Sequence, residues 1–168
     1  MQKEVLPALR TADPPDDMDE STLESLVKLC LAQCQECFWQ KAVMDGYKDA
    51  IISRLAARLC ELYADAAHVA AQSRAISTAW IHFMAAKHNH FAAAAQYRMA
   101  RDCLEKSRYG EEIARLKHAL VYVADGLREA KSAQPNQAVV NDLTNLKRRL
   151  EQDLTRAEKD NNLIYLGL

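Results

Sequence analysis

Chain breakers are scarce. Four glycines and four prolines serve 168 residues, and Pro14 and Pro15 stand side by side near the start. That scarcity excludes a protein of many short strands and turns, and favours long helices. The glycines are isolated from one another, so no glycine-rich phosphate loop can form. No run of about 18 apolar residues occurs, so no transmembrane helix is expected. A basic excess is missing too. Lysine and arginine number 22 against 23 acids, a net charge of −1, which gives no nucleic-acid footprint and calls for no strongly anionic membrane ligand. Met1 to Arg10 holds no apolar h-region, so no secretion signal is expected. The five cysteines, Cys30, Cys34, Cys37, Cys60 and Cys103, are therefore expected to be reduced, in the cytoplasm.

What is present is a globular balance, with 49% hydrophobic and 27% charged residues, over a length that supports one core. Residues 1–20 read as an extended lead-in, because Leu6-Pro7 and the Asp13-Pro14-Pro15-Asp16-Asp17 cluster disfavour helix. Helix one is expected from Ser21, where Ser21 and Glu24 form a capping box, to a stop at Gly46. Helix two follows from Tyr47 to about Val69, a connection short enough to require an antiparallel hairpin. Helix three covers about Ile76 to Lys106 and contains the small-residue run Ala92 to Ala95. Tyr109-Gly110 reads as a break, with helix four starting at the acids Glu111 and Glu112 and ending near Lys131. After the loop Ser132–Gln137, helix five runs from about Ala138 to Lys159. Its stripe is Val139, Leu143, Leu146, Leu150, Leu154 and Ala157. Tyr63-x-x-Ala66 and Tyr97-x-x-Ala100 lie 34 residues apart, the tetratricopeptide spacing, but Tyr47-x-x-Ala50 does not fit it. The reading is all-α: about five helices in antiparallel hairpins, a tetratricopeptide-like solenoid of irregular pitch.

Catalytic and metal chemistry finds little support. Cys30, Cys34 and Cys37 share a helical face at i, i+4 and i+7, but no fourth ligand is evident, and small apolar core residues are the plainer reading. His88 and His90 point about 200° apart on a helix and cannot chelate together. No His-Glu-x-x-His occurs. A cysteine–histidine dyad assembled in space stays open. No catalytic residue, cofactor or metal is assigned, and no enzyme is expected.

Helix two carries two lines of interest. Ile52, Ala56, Leu59, Tyr63 and Ala66 form a core stripe. About 100° away lie Ile51, Leu55, Arg58 and Leu62. That second line is either sandwiched by a neighbouring helix or left open to receive a partner's helix. In the open case Phe38 on helix one completes the patch, and Lys41, Lys48 and Arg54 rim it with positive charge. Lys147-Arg148-Arg149 on helix five is diluted by Asp142, Glu151, Asp153 and Glu158, and reads as a solvated face.

Four segments resemble the BRO domain family of Alix and PalA type. Leu31-Ala32-Gln33-Cys34-Gln35-Glu36-Cys37-Phe38 is similar to its LAQAQE-x-F segment, with Cys34 for the usual alanine. Lys48 to Ala56 resembles the helix that follows. Tyr109-Gly110-Glu111-Glu112-Ile113-Ala114-Arg115-Leu116 is similar to (Y/F)GEEIARL. Lys159 to Tyr165 resembles the KDND-x-IY close, with Asn162 for the usual aspartate. The wording around Glu36 to Val43 looks most like the fungal branch, the ambient-pH response regulators.

The resemblance implies a partial BRO domain over 21–165: a curved, non-enzymatic scaffold that binds the C-terminal amphipathic helix of an ESCRT-III filament subunit. It implies a cytoplasmic protein recruited to endosomes through partners, in pH signalling and near its protease complex. Multivesicular-body cargo sorting within the same family, or a structural helical-repeat protein without an endosomal partner, are the alternatives. The family's contact positions fall on Phe38, Lys41, Ile51, Arg54 and Leu55, and Leu150 and Leu154 are expected near the same groove. Neither the first half of a BRO domain nor the downstream V-shaped domain for YPxL-type peptides has a counterpart in the expected layout.

Overall fold

A computed structural model describes residues 19–132 and 134–166, with side chains through Ile164. The expected lead-in lies almost wholly outside the described residues. Five helices occur among those described: α1 (Glu20–Met44), α2 (Asp49–Ala70), α3 (Thr78–Glu105), α4 (Tyr109–Ala130) and α5 (Gln137–Leu166). Each packs on the next in sequence, and α3 also touches α5. This is the expected stack of hairpins.

The helix ends correct several expectations. Asp19, not Ser21, caps α1. Its carboxylate accepts from the Thr22 amide at 2.6 Å and from the Ser21 hydroxyl at 2.9 Å. A carboxylate is the stronger acceptor, and these bonds hold its pKa below the usual range. At the other end Gly46 stops α1 as expected. It adopts φ 69°, its amide donates to Val43 O, and the Tyr47 amide donates to Ala42 O. This is a Schellman closure. The same closure ends α3, but with Ser107 in the left-handed position at φ 58°. Ser107 N donates to Leu104 O and Arg108 N to Cys103 O. The break therefore lies at Ser107, and Tyr109-Gly110 opens α4 instead of interrupting the chain. Asn136 caps α5, its side chain accepting from the Val139 amide at 3.2 Å, and the helix runs well past Lys159.

α3 is the axis of the core. On one side Phe91 and Met84 meet Leu59, Tyr63 and Ala66 of α2 and Leu29 and Ala32 of α1. On another, Ala93 and Ala100 meet Leu116 and Val123 of α4 and Leu150 and Ala157 of α5. Ala92 to Ala95 are all buried, which lets helices approach α3 from both sides. Gly126 marks a close approach as well: a Cβ there would sit 3.1 Å from both Asn89 and Leu143. The three tyrosines of the apparent repeat are not equivalent. Tyr63 is fully buried, Tyr97 half-buried and Tyr47 exposed, so the stack does not repeat in detail.

Candidate functional site: the exposed face of the first hairpin

Helix α1 is apolar on two faces. Thr22, Ser25, Leu29, Ala32 and Ala42 turn inward. The stripe Val27, Leu31, Cys34 and Phe38, stepping by four and three, is exposed, with Phe38 66% accessible. Such a helix has a second apolar surface that the described residues leave uncovered.

On α2 the core stripe stands as expected, with Ile52, Ala56, Leu59, Tyr63 and Ala66 all at 1% exposure or less. The second line does not disappear beneath a neighbour. Ile51 is 43% exposed, Leu55 is half-buried, and Arg54 is exposed. Because α1 and α2 are antiparallel about the 45–48 turn, a rise of about 1.5 Å per residue brings Phe38 and Leu55 to the same height, and Lys41 level with Ile52. Lys41 is exposed and pairs with Asp45 at 2.9 Å, a contact that raises its pKa. Arg58 is spent on Glu61 at 2.8 Å, whereas Arg54 has no ion pair among the described residues.

Two expected members of this face do not belong to it. Leu150 is fully buried in the α3–α4–α5 core, and Leu154 is half-buried against the same cluster. The apolar stripe of α5 faces inward, so the property that made Leu150 visible in the sequence removes it from the surface.

Beneath the hairpin lies a polar tie that sequence reasoning missed. Glu36 accepts from the Tyr63 hydroxyl at 2.6 Å and from Lys87 at 2.8 Å. Burial, followed by the Glu36 carboxylate, pushes the Tyr63 hydroxyl far above its ordinary pKa, so it remains a donor. Tyr63 stacks on Phe91, Trp39 meets Phe91 edge-on at 5.3 Å, and the Lys87 ammonium lies over both Phe83 and Phe91. α1, α2 and α3 are thus locked, and the exposed face rests on a fixed support.

The cysteines correct another expectation. Cys30, Cys34 and Cys37 are exposed, not core fillers. Among the described residues no three His, Cys, Asp or Glu side chains are placed to hold a metal ion. Cys60 and His88 do meet, with Sγ 3.2 Å from Nδ1. The same Nδ1 lies 3.0 Å from the Cys60 carbonyl oxygen, to which it donates as N–H. Burial pushes the Cys60 thiol up. A protonated thiol beside a ring nitrogen already spent as a donor is not a nucleophile–base pair. No helix among the described residues is long and apolar enough to cross a membrane.

Comparison with known proteins gives this geometry a context. The family model for the BRO1-like domain matches residues 1–167. The pH-response regulator protein palA/prr-1 of Neurospora crassa is 61% identical over 168 residues, all of this chain and 20% of that protein. The palA/RIM20 protein of Saccharomyces cerevisiae is 32% identical over 98% of this chain and 23% of its own length. The chain therefore spans about a fifth of the curated relatives it matches. Among solved structures, one described as an ALIX BRO1 CHMP4C complex superposes with a TM-score of 0.85 at 30% identity, covering 98% of this chain and 44% of that one. Another, on endosomal targeting by the Bro1 domain, shares the fold with a TM-score of 0.79 at 23% identity, over 92% of this chain and 43% of that one. With the family model spanning nearly every residue, the chain belongs to the BRO1-like domain family.

Proposed function

We propose that this chain is a non-enzymatic adaptor module whose first hairpin docks the C-terminal amphipathic helix of an ESCRT-III subunit. One observation carries the reading: Phe38 and Ile51 present apolar surface on adjacent helices, 66% and 43% exposed, beside the cations Lys41 and Arg54. A helix with apolar anchors and flanking acids complements that surface. The reading draws further support from the ALIX BRO1 domain that was solved with CHMP4C. The pH-response regulators among the relatives favour ambient-pH signalling as the setting, with recruitment to endosomes through the docked subunit and work beside a pH-signalling protease complex. Ile51 is exposed and Leu55 only half-buried among the described residues, which supports the docking reading over a purely structural helical stack.

The test is a titration of the chain with the ESCRT-III tail-helix peptide. Phe38→Ala and Ile51→Asp are expected to weaken binding by roughly tenfold or more each, the cost of losing an anchor of about 1.4 kcal/mol or above. Helical circular dichroism is expected to stay unchanged, because both positions are exposed. Full affinity in both variants removes the hairpin from the docking role.

A further inference from the structure

Three free thiols stand on the outside of the first hairpin. Cys30, Cys34 and Cys37 all lie on α1, and all are exposed. Packing does not account for them, and among the described residues they form no metal-holding set.

Helical geometry locates them. At about 100° per residue, Cys30, Cys34, Cys37 and Lys41 share an arc of about 60° on α1. Trp39 marks the flank of α1 that meets Phe91 of α3. The thiol arc lies on the opposite flank of the exposed Leu31–Phe38 stripe, the one that borders the outer face of α2. The antiparallel run of the two helices puts Cys37 level with Leu55, and Cys34 level with Arg58. Leu55 is half-buried and Arg58 exposed, so this stretch is open. Cys30 stands about two turns before Phe38, toward the far end of the hairpin.

The thiols are not placed to satisfy one another. Cys34 and Cys37 are three residues apart on a helix, which sets their Cβ atoms about 5–6 Å apart. A disulfide needs about 3.5–4.5 Å. Glu36 stands between them in sequence and is tied to Tyr63 at 2.6 Å and to Lys87 at 2.8 Å, which holds the helix to its shape there. Each thiol is open to an outside reagent before its neighbour. Lys41 on the same arc, and Arg54 across from it, offer cations to a reagent that carries carboxylates.

We propose that Cys34 and Cys37 form a thiol-modification site that closes the docking groove, by mixed disulfides with an acidic low-molecular-weight disulfide of the glutathione class. The cysteine thiolate attacks one sulfur of the reagent. A protein–reagent S–S bond forms and the reagent's own S–S bond breaks. The departing thiolate takes up the proton that the cysteine gave up, so the cysteine is oxidised and half of the reagent is reduced. A tripeptide on either sulfur fills the space beside Phe38 and Leu55 that a partner helix needs. A free thiol reverses the step. The consequence for docking rests on the function proposed above, whereas the chemistry at sulfur does not.

The experiment treats the full chain with glutathione disulfide, maps the adducts by peptide mass spectrometry, and titrates treated and untreated protein with the ESCRT-III tail-helix peptide. Adducts are expected at Cys34 and Cys37, with at least tenfold weaker docking, unchanged helical circular dichroism, and full recovery in dithiothreitol. Bound peptide is expected to slow modification at these two positions and not at Cys30. In Cys34→Ala/Cys37→Ala the treated and untreated affinities are expected to agree, whereas Cys30→Ala is expected to keep the full response. No adduct at Cys34 or Cys37, adducts without weaker docking, or a response that survives in the double variant overturns the proposal. Cystamine, a cationic disulfide, reacting at both positions as fast as glutathione disulfide overturns the acidic reagent class. If untreated protein fails to bind the peptide, the docking reading and the groove closure fall together, and the adduct map alone still decides the modification site.

Discussion

Tyr63 donates its hydroxyl to Glu36 at 2.6 Å, joining two helices at positions 27 residues apart. Lys87 holds the other carboxylate oxygen from a third helix. This small polar tie sits directly under the surface that carries Phe38.

Removing the hydroxyl tests the tie. Tyr63→Phe keeps the ring stacked on Phe91 and leaves Glu36 with Lys87 alone. Loss of one hydrogen bond to a charged acceptor is expected to cost about 1.5–3 kcal/mol in urea unfolding. An unchanged urea midpoint contradicts a structural role for the pair.

Acid should weaken the fold through His90. Its Nδ1 is buried without a hydrogen-bond partner among the described residues. Burial first, then the Lys87 charge, holds its pKa down at about 4, against the opposing pull of Asp142 and Glu36. Between about pH 4 and pH 6.5 the unfolded chain binds a proton there that the folded chain does not. Stability is therefore fully present above the unfolded value and falls as pH drops toward the folded one. Between pH 7 and pH 5 the wild type is expected to lose about 2 kcal/mol more than His90→Leu. Parallel pH profiles of the two proteins refute the assignment.

Ser107 carries a backbone penalty in the left-handed position that ends α3. Ser107→Gly keeps the closure and relieves that strain. A gain of about 0.5–1 kcal/mol in thermal or urea unfolding is expected. A loss of stability there means that the serine side chain contributes something the closure does not require.

Burial separates two residues that sequence resemblance placed together. Leu150→Ala opens a hole in the core and is expected to cost about 2–5 kcal/mol, whereas Phe38→Ala, at an exposed position, is expected to stay within about 0.5 kcal/mol. Similar costs for the two contradict the assigned faces.

The helices were legible where an unbroken stripe marks the core face. α2 shows this best, because Ile52, Ala56, Leu59, Tyr63 and Ala66 step by three and four and all are buried. α1 was harder. Leu29 and Ala32 lie inside while Val27, Leu31 and Phe38 lie outside, and periodicity cannot rank two apolar faces of one helix. Helix ends depended on which side chain won a local competition, and Asp19 outbid Ser21 because a carboxylate binds the free amide more strongly. The Glu36–Lys87 pair spans 51 positions, beyond any local pattern. The burial of Glu112 left a faint signal: in a run of two acids at a helix start, the helical period places one of them on the same face as Leu116 and Ala119.

The proposed docking face can be tested by asking where the ESCRT-III tail helix sits. A photo-crosslinking benzophenone side chain at position 38, and another at Val121 on the exposed side of α4, would each be irradiated with the ESCRT-III tail-helix peptide. The account predicts a specific crosslink from position 38, abolished by Ile51→Asp, and none from position 121. Equal crosslinking from both positions, or none from position 38 while the peptide is bound, contradicts it.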